Sequence, residues 1–302
     1  MKILNFGSLN LDYIYSVEHF PQPGETLASR NLEVRPGGKG LNQSIALARA
    51  GASNVFHAGL YGSGGEMLPQ LLRVNGVDTR FLLKTDALQG NAVIEVIPSG
   101  ENRIVLFGGS NRVITKEQID GTFAFFDKDD LLLLQNEVNL LPEIVEQGFQ
   151  KGMQIVLNPS PCDEALAAVD FSKLSWLFVN EIEAAAISGS ADPDEAFSAL
   201  HGQFPSLSLL VTLGASGSCA FRVSENSVER HFEPAIKTKA IDTTAAGDTY
   251  TGYFLSSLLR GDSLRAAMNL ASRAAALSIS APGAADSIPH YTALTESELI
   301  TR

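Results

Sequence analysis

The sequence is poor in the residues that announce several kinds of chemistry. Its 302 residues contain two cysteines, Cys162 and Cys219, and no C-x-x-C pair. That leaves out a dithiol redox motif and a cysteine zinc site, and reads as two buried free thiols in a reducing compartment. The histidines, at 19, 57, 201, 231 and 290, show no metal-ligand spacing. No apolar run approaches the ~18 residues of a membrane span, so no membrane partner is expected. The opening MKILNFGSLNLD, interrupted by Asn5 and Asp12, reads as a first strand and not as a secretion signal. A cytoplasmic protein is the expectation. Positive charge is also scarce: 22 Lys and Arg face 34 Asp and Glu, a net charge of −12, with no basic block. Phosphate-backbone binding is driven by Lys and Arg, so no nucleic-acid partner is expected. A small anion can still be held by a few backbone N–H groups. Finally, the sequence has no G-x-S-x-G elbow, no GxxxxGK[ST] phosphate loop and no G-x-G-x-x-G after the first strand.

What is present is an ordinary globular composition, 45% hydrophobic and 19% charged, which excludes disordered and collagen-like chains. The length admits one large domain or two small ones. Strand-like runs at Lys2–Ser8, Asn54–Leu60, Leu131–Leu134, Met153–Leu157, Leu174–Val179 and Leu207–Leu213 alternate with helical runs. The helical runs are Gly40–Ala50, Leu140–Lys151, Glu181–Ser188 and Asp194–Gly202. Short, wholly apolar strands between helices predict an α/β protein with a parallel sheet covered on both faces. Tyr13–Val17 with Thr26–Arg35, and Ala92–Pro98 with Arg103–Phe107, are more polar strand pairs with Pro-Gly and Ser-Gly turn signals. They read either as a side sheet that could close over a cleft or as edge strands of the main sheet. Ala245–Arg260 and Ser263–Ser280 read as two consecutive helices, followed by a Gly- and Pro-bearing loop at Ala281–Pro289.

The strongest chemical signal is Asp242-Thr-Thr-Ala-Ala-Gly-Asp248 at the entry to a long helix. N–H groups of Ala245, Ala246 and Gly247 at a helix start, backed by the helix dipole, make an anion site. A carboxylate beside it suits a general base that takes a proton from an attacking hydroxyl, or is simply favourable at a helix N-terminus. Gly37-Gly-Lys-Gly-Leu-Asn42 is a second glycine-rich helix entry, with Lys39 and Asn42 as donors to a polar ligand, or a tight turn alone. Asn10 and Asp12 follow the first strand, and Asn180-x-x-Glu183 and Thr212-Leu-Gly-x-x-Gly217 follow later ones, where ligands of open α/β sheets gather. Glu183 reads as a carboxylate for a metal–water shell or as a solvent-facing helix residue.

In their order and spacing these motifs resemble the ribokinase-like carbohydrate kinases, the PfkB family, from about Leu4 to Pro289. Gly7-Ser8-x-Asn10-x-Asp12, Phe20-Pro-x-Pro-Gly-Glu25 and Asn158-Pro-x-Pro161 extend the resemblance. It implies one α/β/α sandwich domain over 1–302, with a mostly parallel central sheet and a small β-sheet lid from about 13–35 and 90–107. It implies transfer of the γ-phosphoryl group of ATP with Mg²⁺ to a sugar hydroxyl, ribose O5 first, with another sugar or a nucleoside as the alternative. Asp248 would be the base, and Ala245, Ala246 and Gly247 the anion hole. Asn10, Asp12, Gly38, Lys39, Asn42 and Glu137 would hold the sugar. Asn180, Thr212, Gly214, Gly217, Gly247 and Ser272 would contact the nucleotide, with Glu183 organising magnesium and phosphate. Asp242, Thr244, Ser278, Ala281, Gly283 and Ser287 would surround a monovalent cation, K⁺. Exposed lid edges imply a homodimer. The chain departs from the family pattern at Gly62-Ser-Gly-Gly65, at the bulky Leu41 and at Ala281-Pro282.

Overall fold

Leu131–Leu134 are each at most 2% exposed, yet they belong to two different cores: Leu131 and Leu133 to one, Leu132 and Leu134 to the other. Successive side chains of a strand point to opposite faces, so a strand that is apolar throughout must be covered on both. Burying a leucine completely contributes about 1.5–3 kcal/mol, which makes such a run a strong organiser.

The computed structural model describes residues 1–296. Residues 297–302 of the expected 1–302 domain lie outside them. The chain begins β1 (Ile3–Phe6), β2 (Asn10–Ser16), β3 (Asn31–Gly37), α1 (Lys39–Arg49), β4 (Val55–Ser63), α2 (Met67–Val74), β5 (Asp78–Leu88), β6 (Asn91–Val96) and β7 (Asn102–Phe107). It continues α3 (Lys116–Phe123), β8 (Leu131–Gln135), α4 (Leu141–Gln150), β9 (Gln154–Asn158), β10 (Trp176–Asn180), α5 (Glu181–Ser188), α6 (Pro193–Gln203) and β11 (Ser208–Thr212). Last come β12 (Gly217–Ser224), β13 (Ser227–Pro234), α7 (Ala246–Leu259), α8 (Leu264–Ser278) and α9 (Tyr291–Glu296).

The large sheet has the order β13-β12-β11-β10-β9-β8-β1-β4-β5. It is parallel from β5 to β11 and ends in the antiparallel hairpin β12–β13. Leu41, Leu72, Tyr253 and Met268 of α1, α2, α7 and α8 fill the core on one face. Phe123, Ile144, Ala184 and Leu200 of α3, α4, α5 and α6 fill the other. This is the expected three-layer α/β/α body. The polar strand pairs form a separate four-stranded sheet, β3-β2-β6-β7, and not an edge of the large one.

Two expectations need correction, and one departure from the family pattern finds its reason. The strand expected at Thr26–Arg35 is Asn31–Gly37, because the segment before it is an exposed connection with Glu25 tied to His19 and to the Gln22 N–H. Cys162 is exposed, so only Cys219 is a buried thiol. The bulky Leu41 points into the core and is 0% exposed, so it takes nothing from the cleft. Sequence patterns also miss β5, an edge strand with mixed burial, and the largely exposed β13.

Candidate active site

The carboxyl ends of β1, β8, β9, β10 and β11 open on the same end of the sheet. Between β1 and β8 the chain order reverses direction across the sheet, the position where open α/β sheets form their crevice. Two carboxyl-end residues meet there: the Ser8 hydroxyl donates a short hydrogen bond to Glu137 Oε2. The Gly37–Gly40 turn lies directly on this junction. Gly38 has φ +94°, and a Cβ at Gly40 would stand 2.3 Å from the Ser8 backbone nitrogen, so only glycine lets α1 start so close to β1. Lys39 is thereby delivered to Glu137: its N–H donates to Oε2 at 3.1 Å and its Nζ to Oε1 at 2.8 Å. Burial works to discharge Lys39, but the carboxylates of Glu137 and Asp248 outweigh it and hold its pKa above the usual value.

β2 brings Asn10 and Asp12 to the same place. Asn10 Oδ1 accepts from Asn111 Nδ2 at 2.8 Å, which fixes its amide. Asp12 lies against the Gly37 backbone. Burial pushes its carboxyl up to about 7, with Glu137 and Asp248 adding to the rise and Lys39 opposing it.

Asp248 enters from the first turn of α7, whose N-cap, Ala245, has φ +59°. The first N–H groups of a helix have no carbonyl one turn back, so they are available to an anion. Of the expected three, Ala246 N–H turns back to the Thr243 carbonyl at 3.3 Å. α7 packs on α1 with backbone close to backbone: a Cβ at Gly252 would stand 2.4 Å from Ala46 Cβ. One turn up, that closeness puts Asn42 Nδ2 at 3.0 Å from Asp248 Oδ2 and Gln43 Nε2 at 2.9 Å from Oδ1. Burial raises the Asp248 carboxyl to about 6, while Lys39 and the two amide donors pull it back. A carboxylate poised near neutrality in the first turn of a helix, beside N–H groups available to an anion, can accept a proton from a hydroxyl.

Two adjoining cavities flank this helix start. The first, about 200 Å³, is lined by Lys39, Asn180, Glu183, Thr212, Ala245, Ala246, Gly247 and Asp248. The second, about 510 Å³, is lined by Thr212, Gly214, Gly217, Gly247, Tyr250, Ser272 and several aliphatic side chains. Thr212, Thr243, Ala246 and Gly247 belong to both. Asn180 and Glu183 form a reciprocal cap on α5: Asn180 Oδ1 accepts from Glu183 N–H at 2.9 Å and Glu183 Oε2 from Asn180 N–H at 3.0 Å. One Glu183 oxygen is therefore committed to the helix end. Among the described residues no group of three or more His, Cys, Asp or Glu could hold a metal ion.

Asp242, Thr244 and Gly283 come together directly. Asp242 Oδ1 accepts from Thr244 N–H and Oγ1, and its Oδ2 from Gly283 N–H at 2.9 Å. Burial would raise the Asp242 carboxyl, yet these donors, helped by Arg35, hold it below its usual value. The Ser278 and Ser287 hydroxyls turn to the Ala275 and Ala284 carbonyls, and Ala281 joins the turn through its N–H to Ser278 O. Sequence patterns do not single out Gln43, Gln135, Asn111 or Arg35. Gln43 carries one signal, its place in a polar run, Asn42-Gln43-Ser44, inside a helix that is apolar from Ile45 to Ala48.

A family model described as pfkB family carbohydrate kinase matches residues 1–291. The chain is 35% identical over 296 residues to a ribokinase of Haemophilus influenzae, covering 94% of each. A ribokinase from Cryptococcus neoformans in complex with ADP superposes with a TM-score of 0.82 at 33% identity, covering 98% of this chain and 99% of that one. A ribokinase from Thermotoga maritima gives 0.84 at 30%, covering 98% and 100%. Among the described residues no helix is long and apolar enough to cross a membrane.

Proposed function

The chain belongs to the pfkB family of carbohydrate kinases, and from that premise we propose that it is a cytoplasmic ATP-dependent ribose kinase, transferring the γ-phosphoryl group to O5. The observation that carries the reading is the place of Asp248: a half-buried carboxylate at a helix start, lining the smaller cavity beside Lys39 and Glu183, with the larger apolar cavity adjoining through Ala246 and Gly247. Relatives that are ribokinases, one of them solved with ADP, support the same acceptor and donor.

In this reading the sugar hydroxyls meet Asn10, Asp12, Gly38, Lys39, Asn42 and Glu137. The reacting hydroxyl gives its proton to Asp248 as its oxygen attacks the γ-phosphorus, and the bond from that phosphorus to the bridging oxygen breaks to release ADP. The N–H groups of Ala245 and Gly247 face the charge on the transferring group, joined by Ala246 N–H once it leaves the Thr243 carbonyl, the positioning and neutralisation that phosphoryl transfer chiefly needs. Adenosine occupies the apolar cavity along Thr212, Gly214, Gly217 and Ser272, and Asn180 and Glu183 line the phosphate end. A divalent ion, Mg²⁺ in our reading, suits a site with one free carboxylate oxygen at Glu183, because Mg²⁺ keeps most of its waters and rides on substrate phosphates. It would supply charge neutralisation on the phosphates. Asp242, an ionised carboxylate at a turn of carbonyl and hydroxyl oxygens with Thr244, Ser278, Ala281, Gly283 and Ser287, suits a hard monovalent cation such as K⁺, which would stiffen the loop before α7. The small sheet would act as a lid over the sugar, excluding water as a competing acceptor, and would pair with a second copy in a homodimer.

The test is ADP release across pentoses, hexoses and nucleosides, with and without potassium in tetramethylammonium buffer. Ribose should give the highest kcat/KM, with product phosphorylated at O5 and with turnover raised by potassium. A nucleoside or hexose turned over faster than ribose would replace the acceptor, and unchanged rates on adding potassium would leave Asp242 a purely structural residue.

A further inference from the structure

Five side chains that the reaction does not use form a buried chain ending on Asp248. Asn5, Ser44, His57 and Gln135 are 0% exposed and Gln43 is 1% exposed. They come from β1, α1, β4 and β8, so the chain crosses the sheet beneath the cleft. Buried polar groups cost stability unless paired, and Gln135 Oε1 has no hydrogen-bond partner among the described residues. An apolar core would avoid that cost, so the network calls for a reason.

The directions of its hydrogen bonds supply one. An ionised carboxylate only accepts. Gln43 must therefore turn its amide nitrogen to Asp248 Oδ1, which leaves Gln43 Oε1 facing Gln135. Gln135 Nε2 donates to that oxygen at 2.6 Å and also to Asn5 Oδ1 at 3.0 Å. Asn5 must then direct its own nitrogen the other way, to Gly40 O and Ser44 Oγ, both at 2.8 Å. The Ser44 hydroxyl is left to donate to His57 Nδ1 at 2.8 Å. That last step needs a neutral ring, and burial pushes His57 down to about 4, so it is neutral at any physiological pH. The chain is also fixed from its far end: the Gly40 carbonyl only accepts, so it sets Asn5, and through Gln135 sets Gln43, in the orientation that an ionised Asp248 requires.

We propose that Gln43, locked by Gln135 and the Asn5–Ser44–His57 chain behind it, is a positioning residue that holds Asp248 ionised and aimed at the acceptor hydroxyl. Asn42 cannot do this alone: its Oδ1 has no partner among the described residues, so its amide is free to turn over and serve a protonated Asp248 equally well. Gln43 cannot turn over without setting two nitrogens against each other at Gln135. The proposal rests on the kinase reading for what Asp248 does, but not for how its charge is held. The other charged groups facing Asp248 are Lys39 on α1, Glu137 after β8 and Asp12 on β2. The Gln135 amide nitrogen is spent on Gln43 and Asn5, and not on any of these three. A change at Gln135 therefore reports on the chain and not on them.

The experiment follows the Asp248 carboxyl by ¹³C NMR titration of aspartate-labelled protein, its signal assigned with D248N, in wild type, Q43M and Q135M, together with kcat, KM and their pH profiles. A hydrogen bond to a charged group is worth about a tenfold factor or more, so the Asp248 midpoint in Q43M should rise by about one unit. Q135M, which leaves Asp248 untouched, should shift it the same way by less. The acid limb of kcat/KM should move with the NMR midpoint, and kcat should fall roughly tenfold while KM for ATP stays within about twofold. If Q43M does not fold, Q135M carries the test. Midpoint and acid limb unmoved in the folded variants, with only thermal stability lowered, would overturn the proposal and leave a structural network. A midpoint that moves in a protein that phosphorylates no sugar would uphold it and sink the kinase reading instead.

Discussion

At the residue scale the protein keeps a carboxylate where burial disfavours it. Asp248, raised from an ordinary 3.8 to about 6, binds its proton more tightly folded than unfolded. For a carboxyl shifted upward, the folded state loses stability as pH rises from about 4 to about 6, and the whole cost is present at pH 7. D248N should therefore melt higher than wild type at pH 7, by on the order of 2–6 °C, as scanning calorimetry would read. The Asn42 amide can turn over to accept from the new amide, so no donor is left facing a donor. The same variant should lose about 10²–10⁴ in kcat, the range for a general base, while nucleotide binding by calorimetry persists. Near-normal turnover would remove Asp248 from the mechanism. In the wild type, Asp12 and Asp248 interact, so the pH profile reports the pair. kcat/KM should fall as pH drops through about 6–7, the values to which burial raises the two carboxyls. A flat profile from pH 5 to 8 would contradict the assignment.

At the element scale, the contact of α1 with α7 sets the site. Both helices begin at the cleft, and Asn42 and Gln43 reach Asp248 because Gly252 lets the two backbones touch at Ala46. Replacing a mid-helix glycine with alanine normally adds about 1 kcal/mol through helix propensity. Here the new methyl would stand 2.4 Å from Ala46 Cβ and 2.7 Å from the Ala46 carbonyl carbon, which forces the helices apart. Overpacking of this kind costs about 1–3 kcal/mol, so the clash outweighs the propensity gain. G252A should lower the melting temperature and cut kcat about tenfold or more, since a displacement near 1 Å can cost ~10²-fold. A variant as stable and active as wild type would show that the close approach is dispensable. The capping box on α5 makes a related point, because Glu183 serves its own helix with one oxygen and the cleft with what remains.

At the scale of the whole molecule, the small sheet is the exposed part. Its edge strands are β3 and β7, and in β7 four successive apolar residues, Ile104, Val105, Leu106 and Phe107, are 55, 69, 47 and 50% exposed. An open apolar edge is a template for pairing, which is the physical ground for expecting two copies to join through their lids. Light scattering should give a dimer for the wild type. V105K, which places a charge on that strand, should shift it toward monomer with the melting temperature of the body little changed. A wild-type monomer at micromolar concentration would remove the homodimer from the account.

The alternation of apolar runs and helical periods, the glycine-rich entries to α1 and α7 and the order of the motifs are all written locally. Each reports the environment of a few neighbouring residues, and for that reason the covered parallel strands, the polar strand pairs and Asp248 at a helix start could be read from the sequence alone, while only the tertiary structure set those pairs apart as their own sheet. β5 could not, because an edge strand has one wet side and its pattern blurs. Nor could the roles within the cleft. Asn42 and Gln43 lie 206 and 205 positions from Asp248, and Ser8 lies 129 from Glu137. Which donors meet which carboxylate depends on the distance and register at which α1 packs on α7 and β1 pairs with β8. Those are set by the summed shape of two cores, and no stretch of sequence around Gln43 or Glu183 carries that information. The buried amides beneath Asp248 acquire a direction only once the tertiary fold has placed an acceptor at the end of their chain.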